Sequence, residues 1–269
     1  MNEISEHYII GGGAAGSERL RILADATWPA SEVFLREAGL VAGARVLDAG
    51  CGNGAVTLRI AACAGATGRV TGLDRDAEMI RLACDEAKAR SLAVEFRHGD
   101  IEHGAGIGEG YDLVYARLLL SHLGDPAAAL ARLAAALRPG GVLAVEDVDF
   151  QGHFCHPASP AFERYVAWYE AAAIMRGADP RIGRRLLDML TGAGLRDVKL
   201  RVVLPTFHEG DGKRMALLTL SGIRDAVLGA GIVSAAEFDK TVSEIEAFTR
   251  APHSIMSLPR FFQLRGVRA

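Results

Sequence analysis

Asp48, Asp74 and Asp100 recur at intervals of 26 residues, each just behind a short apolar run. An interval of that length holds one strand, one helix and their turns. The chain is thereby restricted to βα units and a mostly parallel sheet. The apolar runs predict strands over 45–49, 69–73, 94–97, 111–116 and 142–146, with helices beginning near Ala55, Asp76 and Pro126. Pro126 falls in the first turn of its helix, where the missing N–H costs nothing. Arg138-Pro139-Gly140-Gly141 is expected to stop that helix sharply before the fifth strand. The three aspartates then stand at the carboxyl ends of the first three strands, the edge at which open α/β sheets bind ligands. A single Asp there reads as a helix N-cap; three in register point to a site.

After Glu146 the regularity breaks. Residues 150–169 hold Phe150, Phe154, Phe162, Tyr165, Trp168 and Tyr169, six of the chain's 17 aromatic residues. A helix is expected over 181–192, a strand over 198–204, two helical pieces within 211–251 separated near 229–234, and a last strand over 260–267. Before the first strand, 17–40 reads as helix, a break at Trp28-Pro29, and helix again. No repeat or low-complexity linker divides the 269 residues, so a single elaborated domain, 1–269, is expected.

The composition narrows the partners. Thirty Lys and Arg against 33 Asp and Glu give a net charge of -3, which leaves no cationic surplus for a phosphate backbone and argues against nucleic acid. Cys51, Cys63, Cys84 and Cys155 form no CxxC pair, which fits a reducing compartment and no zinc ribbon. No window approaches the roughly 18 apolar residues of a membrane span, so a cytoplasmic protein with no membrane partner is expected.

Two glycine clusters compete as nucleotide loops. Gly11, Gly13 and Gly16 satisfy GxGxxG and look like the start of a flavoprotein, but no second strand ending in an acid follows, and the nearest acid, Glu32, lies in a helical pattern. A glycine-containing arm is the expected alternative. The second cluster, Asp48-Ala49-Gly50-Cys51-Gly52-Asn53-Gly54, follows a strand, opens a helix, and has Asp74 after the next strand. Gly50, Gly52 and Ala55 even fit the dinucleotide pattern GxGxxA, so a nicotinamide enzyme enters as a rival. Asp48 argues against it, because a carboxylate two residues before the first glycine would repel a pyrophosphate. An ammonium group there would gain a charge-assisted hydrogen bond. S-adenosylmethionine has that group, lacks phosphates, and carries a ribose diol from which Asp74 could accept.

At this point the chain resembles the class I S-adenosylmethionine-dependent methyltransferases, in particular their small-molecule branch. The resemblance rests on VLDAGCGNG at 46–54, GLDRDAEMIRLA at 72–83, HGDIE at 98–102, YDLVYARLLLSHLGDP at 111–126 and LRPGGVLAVED at 137–147. It implies a Rossmann-like seven-stranded sheet, mostly parallel with an antiparallel last strand, helices on both faces and helical lid insertions. The parts would be an N-terminal helical arm at 1–40, a cofactor-binding half at 41–149, lid insertions at 150–180 and 208–255, and segments 181–207 and 256–269 completing the sheet. It further implies that Asp48, Gly50, Gly52 and Asn53 hold the methionine part of the cofactor, Asp74 the ribose, Arg75, Asp100 and Ile101 the adenine, and Arg117 the sulfonium region. Tyr8 would belong to an arm over the cofactor.

Methyl transfer from a sulfonium is an in-line displacement governed largely by positioning, and a base is needed only where the acceptor loses a proton. His122, Asp149 and His153 are the candidates, with Asp147 and His156 nearby. His153 and His156 lack a second ligand pair, so no metal is expected. Phe150, Phe154 and Trp168 are expected to wall a pocket for a small apolar or aromatic metabolite that accepts the methyl group on O, N or C, in secondary metabolism. Arg181, Arg184 and Arg185 read as a solvated helix face. A homodimer is left open. The rivals are an NAD- or FAD-dependent oxidoreductase and a non-catalytic cofactor-binding protein.

Overall fold

The structure is a computed structural model that describes residues 13–269. Its strands are β1 (Arg45–Ala49), β2 (Arg69–Asp74), β3 (Val94–His98), β4 (Tyr111–Arg117), β5 (Leu137–Asp149), β6 (Cys155–His156), β7 (Arg196–Val203), β8 (Thr206–Phe207), β9 (Ile255–Ser257) and β10 (Arg260–Val267). Its α-helices are α1 (Gly13–Glu37), α2 (Thr57–Ala64), α3 (Ala77–Ala89), α4 (Pro126–Ala136), α5 (Pro160–Met175), α6 (Leu186–Gly192), α7 (Met215–Gly229) and α8 (Ala235–Arg250). The chain packs as two units. The first contains Trp28–Val148, Ile182–Val203 and Phe261–Ala269; the second contains the described residues up to Thr27 with Asp149–Arg181 and Leu204–Arg260.

The first unit is built on a seven-stranded sheet of order β3-β2-β1-β4-β5-β10-β7. β1 pairs in parallel with β2 and β4, and the last strand, β10, runs antiparallel to β7. Successive side chains of a strand point to opposite faces, and the core follows that rule. Leu47, Val114 and Ala116 join Leu130, Leu133, Leu186 and Leu190 on one face. Val46, Leu113 and Tyr115 join Phe34, Leu35 and Ile60 on the other. Both faces of β1 and β4 are therefore buried, which is why these strands read as continuous apolar runs. The helices start where local hydrogen bonding dictates: Asp76 accepts from the backbone N–H of Glu78 and Met79, and Asp125 from that of Ala128 ahead of Pro126.

Two boundaries differ from expectation. Helix α1 runs through Pro29 without a break. Proline removes one backbone donor, and the packing of Phe34 and Leu35 in the core holds the segment beyond it in place. Strand β5 starts at Leu137 rather than Val142 and runs through the stretch expected to precede it, and the register with β4 shifts between Tyr111 and Leu113 to take up Pro139 and its two glycines.

The second unit has its own core, in which Phe150, Phe162, Tyr165, Trp168 and Tyr169 pack with Leu220, Ile223, Phe238 and Ile245 from α7 and α8. A small antiparallel sheet of order β6-β9-β8 borders it. Among the described residues no helix is long and apolar enough to cross a membrane.

Candidate functional site

The strand order reverses between β1 and β4, and a crevice at such a switch point is where open α/β sheets hold ligands. The loop leaving β1 is shaped for it. Gly50, Gly52 and Gly54 have φ of 74°, 53° and 76°, values that L side chains rarely adopt. A Cβ on Gly50 would lie 2.9 Å from the Leu119 side chain, so the loop after β1 and the segment after β4 press together. Leu118, at the turn between them, has a φ of 50°, a strained conformation of the kind that gathers at functional sites.

Asp74, the last residue of β2, straps this loop. Its carboxylate accepts from the backbone N–H of Gly52 at 2.8 Å and of Asp76 at 2.9 Å, and burial pushes its pKa up. Asp48, 3% exposed, accepts from the Thr57 hydroxyl at 2.6 Å. Burial pushes its pKa to about 6, against the Thr57 bond and the Arg117 charge, while the neighbouring Asp74 charge raises it further.

Asp48 is one member of a polar row on the sheet face that carries Val46, Leu113 and Tyr115. Arg117 stands opposite Glu146 in the β4–β5 register. Glu146 is 1% exposed and accepts from Ser31 at 2.8 Å and Gln263 at 2.9 Å. Gln263 in turn accepts from Arg201 at 2.8 Å. Burial raises the Glu146 pKa, opposed first by the Arg117 charge. Arg117 thus lies between two buried carboxylates, yet its Nη1 is itself buried and meets no hydrogen-bond acceptor among the described residues. A buried donor left this way costs free energy unless a ligand satisfies it.

The loops after β1, β2 and β3 carry other residues expected at the cofactor. Asn53 closes its loop by accepting from the backbone N–H of Ala55. Arg75 faces Glu102 at 3.7 Å, and Asp100, two residues beyond β3, accepts from His103 and from the backbone of Glu102. Ile101 is buried beside them. Tyr8 and the glycine at 11 lie outside the described residues.

The residues expected at the acceptor separate. His122 ends a short 3-10 turn, Leu120–His122, after β4. Asp147 is fully buried and accepts from the backbone of Ser121; burial raises its pKa to about 6. In the second unit, Asp149 is also fully buried and holds Arg260 at 2.6 Å, so its carboxylate is committed to an ion pair rather than open to a substrate proton. His153 is different. Its Nδ1 lies 2.7 Å from the Phe150 carbonyl oxygen, which can only accept, so Nδ1 carries the proton and Nε2 keeps its lone pair. The ring sits against Phe150, Phe162 and Tyr165, and burial lowers its pKa to about 4.

Trp168 corrects the expected pocket wall. It is 7% exposed and stacks on Phe238, so its helical spacing reported core packing. Phe150 stacks on Tyr169 with ring centroids 3.7 Å apart, whereas Phe154 is 40% exposed. Arg181 is likewise no free cation, because it grips Glu170 through two nitrogens. Among the described residues no group of His, Cys, Asp or Glu could hold a metal ion. Sequence reasoning missed Thr57, Glu146, Ser31 and Gln263. Only Glu146 carried a signal, a charge inside an apolar strand.

A family profile described as a methyltransferase domain matches residues 40–191, more than half of the chain. A trans-aconitate 2-methyltransferase of Paracidovorax citrulli is 36% identical over 146 residues, 54% of this chain and 54% of that protein. A ubiquinone biosynthesis O-methyltransferase of Methylobacterium sp. (strain 4-46) is 36% identical over 102 residues, 38% of this chain and 40% of its own. The chain therefore spans about half the length, or less, of these relatives. The crystal structure of the [4+2]-cyclase SpnF superposes with a TM-score of 0.55 at 18% identity, covering 89% of this chain and 80% of that one, a likeness of fold alone. By the profile match, which contains the glycine loop, Asp74 and Arg117, the chain belongs to the methyltransferase domain family.

Proposed function

We propose that this protein transfers a methyl group from S-adenosylmethionine to a small-molecule acceptor. The observation that carries the reading is the pair of carboxylates beside the glycine loop, the buried Asp48 and the half-buried Asp74. They repel a pyrophosphate and welcome the ammonium and ribose hydroxyls of a phosphate-free nucleoside. The unsatisfied Arg117 Nη1 tests the fit, since the amino-acid end of this donor brings a carboxylate that would satisfy it. Asp48 would then face the ammonium, Asp74 the ribose, Asp100 and Ile101 the adenine, with Arg75 at its border. The bound donor supplies a methyl group on a cationic sulfur that leaves as a neutral thioether.

For an O–H acceptor, His153 is the base that the second unit offers. Its Nε2 lone pair is open to a proton, and the Phe150 carbonyl holds the ring in that tautomer. The names of the relatives, an aconitate and a quinone-pathway methyltransferase, support a small metabolite as acceptor. The free thiols of Cys51, Cys63, Cys84 and Cys155 suit a reducing, cytoplasmic setting.

Calorimetry on the full chain tests this reading. S-adenosylmethionine and S-adenosylhomocysteine are expected to bind, and NAD and FAD are not; binding of a dinucleotide without either sulfur ligand would sink it. Because a cyclase shares the fold, turnover of labelled methyl into product separates a transferase from a protein that only binds the donor.

A further inference from the structure

The second unit contains an arginine that meets no carboxylate among the described residues. Arg21, Arg164, Arg181, Arg214 and Arg260 each meet a carboxylate at hydrogen-bonding distance. Arg19 does not. Its only hydrogen bond among the described residues runs from Nε to the Thr219 hydroxyl at 3.3 Å, and its two terminal nitrogens meet no acceptor among those residues. Neither is Arg19 a freely solvated surface cation. It is half-buried on α1, against Thr219 at 2% exposure and beside the Tyr165 phenol at 3%. Tyr165 belongs to the aromatic group of Phe150, His153 and Phe162, its ring centroid 5.8 Å from that of His153.

One part of the second unit thus brings together a guanidinium with no carboxylate among the described residues, two buried hydroxyls, an imidazole and aromatic rings. We infer that this unit binds a monocarboxylic acid with an apolar or aromatic body, and that Arg19 holds its carboxylate. A guanidinium fork binds a carboxylate through two parallel hydrogen bonds, and does so most strongly where water is partly excluded. A phosphate monoester fits less well. It carries close to two charges, and no second unpaired cation lies beside Tyr165 and Thr219 among the described residues.

The test uses the full chain with S-adenosylhomocysteine present and absent. The ligands are phenylacetate, 4-hydroxybenzoate and 4-hydroxycinnamate, each beside its primary amide, read by saturation-transfer NMR and calorimetry. Acids are expected to bind at least tenfold tighter than their amides. Arg19→Met, which keeps the length of the side chain, is expected to abolish that preference, and Arg19→Lys to restore part of it. Tyr165→Phe, which removes only a hydroxyl, is expected to weaken acid binding severalfold in a protein of unchanged melting temperature. Equal binding of acids and amides, no binding of any acid, or an unaltered preference in Arg19→Met would overturn the inference. A loss of S-adenosylhomocysteine affinity in Arg19→Met would overturn it too, by moving Arg19 to the donor. If the native chain binds acids through Arg19 but not S-adenosylhomocysteine, the donor reading fails while the acid site stands.

Discussion

Replacing Asp48 with asparagine isolates the free energy stored in the candidate donor site. Burial lifts the Asp48 carboxyl from 3.8 to about 6, and each pKa unit corresponds to about 1.4 kcal/mol, so the ionised group costs the folded protein about 3 kcal/mol at pH 7.5. The sign follows from the raised pKa. The folded state takes up the proton first as pH falls, so the native protein gains stability relative to the variant between pH 7.5 and the unfolded value. Linkage with these two pKa values gives about 1.4 kcal/mol of that recovered at pH 5, roughly half. Asparagine keeps an oxygen to accept from Thr57, and any cost of seating its amide enters as an offset independent of pH. Urea melts of both proteins at pH 7.5 and pH 5 read the difference. Asp48→Asn is expected to lose about 1.4 kcal/mol of stability relative to the native protein on going to pH 5, and to bind S-adenosylhomocysteine at least tenfold more weakly. Parallel pH profiles, or a difference of opposite sign, would mean that Asp48 is an ordinary structural partner of Thr57 and that its burial stores nothing for a ligand.

Other perturbations test neighbouring parts. Asp74→Ala is expected to weaken S-adenosylhomocysteine binding at least tenfold in a protein that still unfolds cooperatively; an unchanged dissociation constant removes Asp74 from the ribose role. Gln263→Leu leaves Glu146 without one hydrogen bond and is expected to cost about 2 kcal/mol in urea melts, while a loss below about 0.5 kcal/mol would deny the polar row an energetic role. The His153 ring, held near pKa 4, is expected to stay neutral from pH 7.5 to 5 in NMR titration. Its contribution to stability, at most about 3 kcal/mol, is fully present above pH 6.5 and declines as pH falls toward 4; a ring that titrates near 6.5 contradicts the burial argument. Trp168→Ala is expected to cost about 3–5 kcal/mol as a core truncation, and a folded variant of native stability would return Trp168 to the pocket wall.

The parallel core was legible because its strands are buried on both faces, so Val46-Leu47 and Leu113 to Ala116 announce themselves as apolar runs, the one followed by Asp48 and the other by Arg117. The helix starts near Asp76 and Pro126 were legible too, because the signals that begin a helix are local. What the residues could not disclose lies in pairings distant along the chain. Arg117 meets Glu146 only through strand register, and Asp149 meets Arg260 across 111 positions. The aromatic spacing of α5 was correctly helical, yet spacing alone does not distinguish a core stripe from a pocket wall, and Trp168 is core. Pro29 misled because packing outweighed the propensity of proline to end a helix, whereas the helix before Pro139 does end, at Ala136, and only the start of β5 comes earlier than expected, through a register shift.

The central claim is that the loop of Gly50 to Gly54, with Asp74 and Arg117, holds the donor. Hydrogen exchange on the full chain, with and without S-adenosylhomocysteine, tests it most directly. Protection is expected at residues 50–54, 74–76 and 117–119, whose backbones frame the cradle. Protection centred instead on the glycine cluster at residues 11–16, or absent from 50–54 at saturating ligand, would contradict the account.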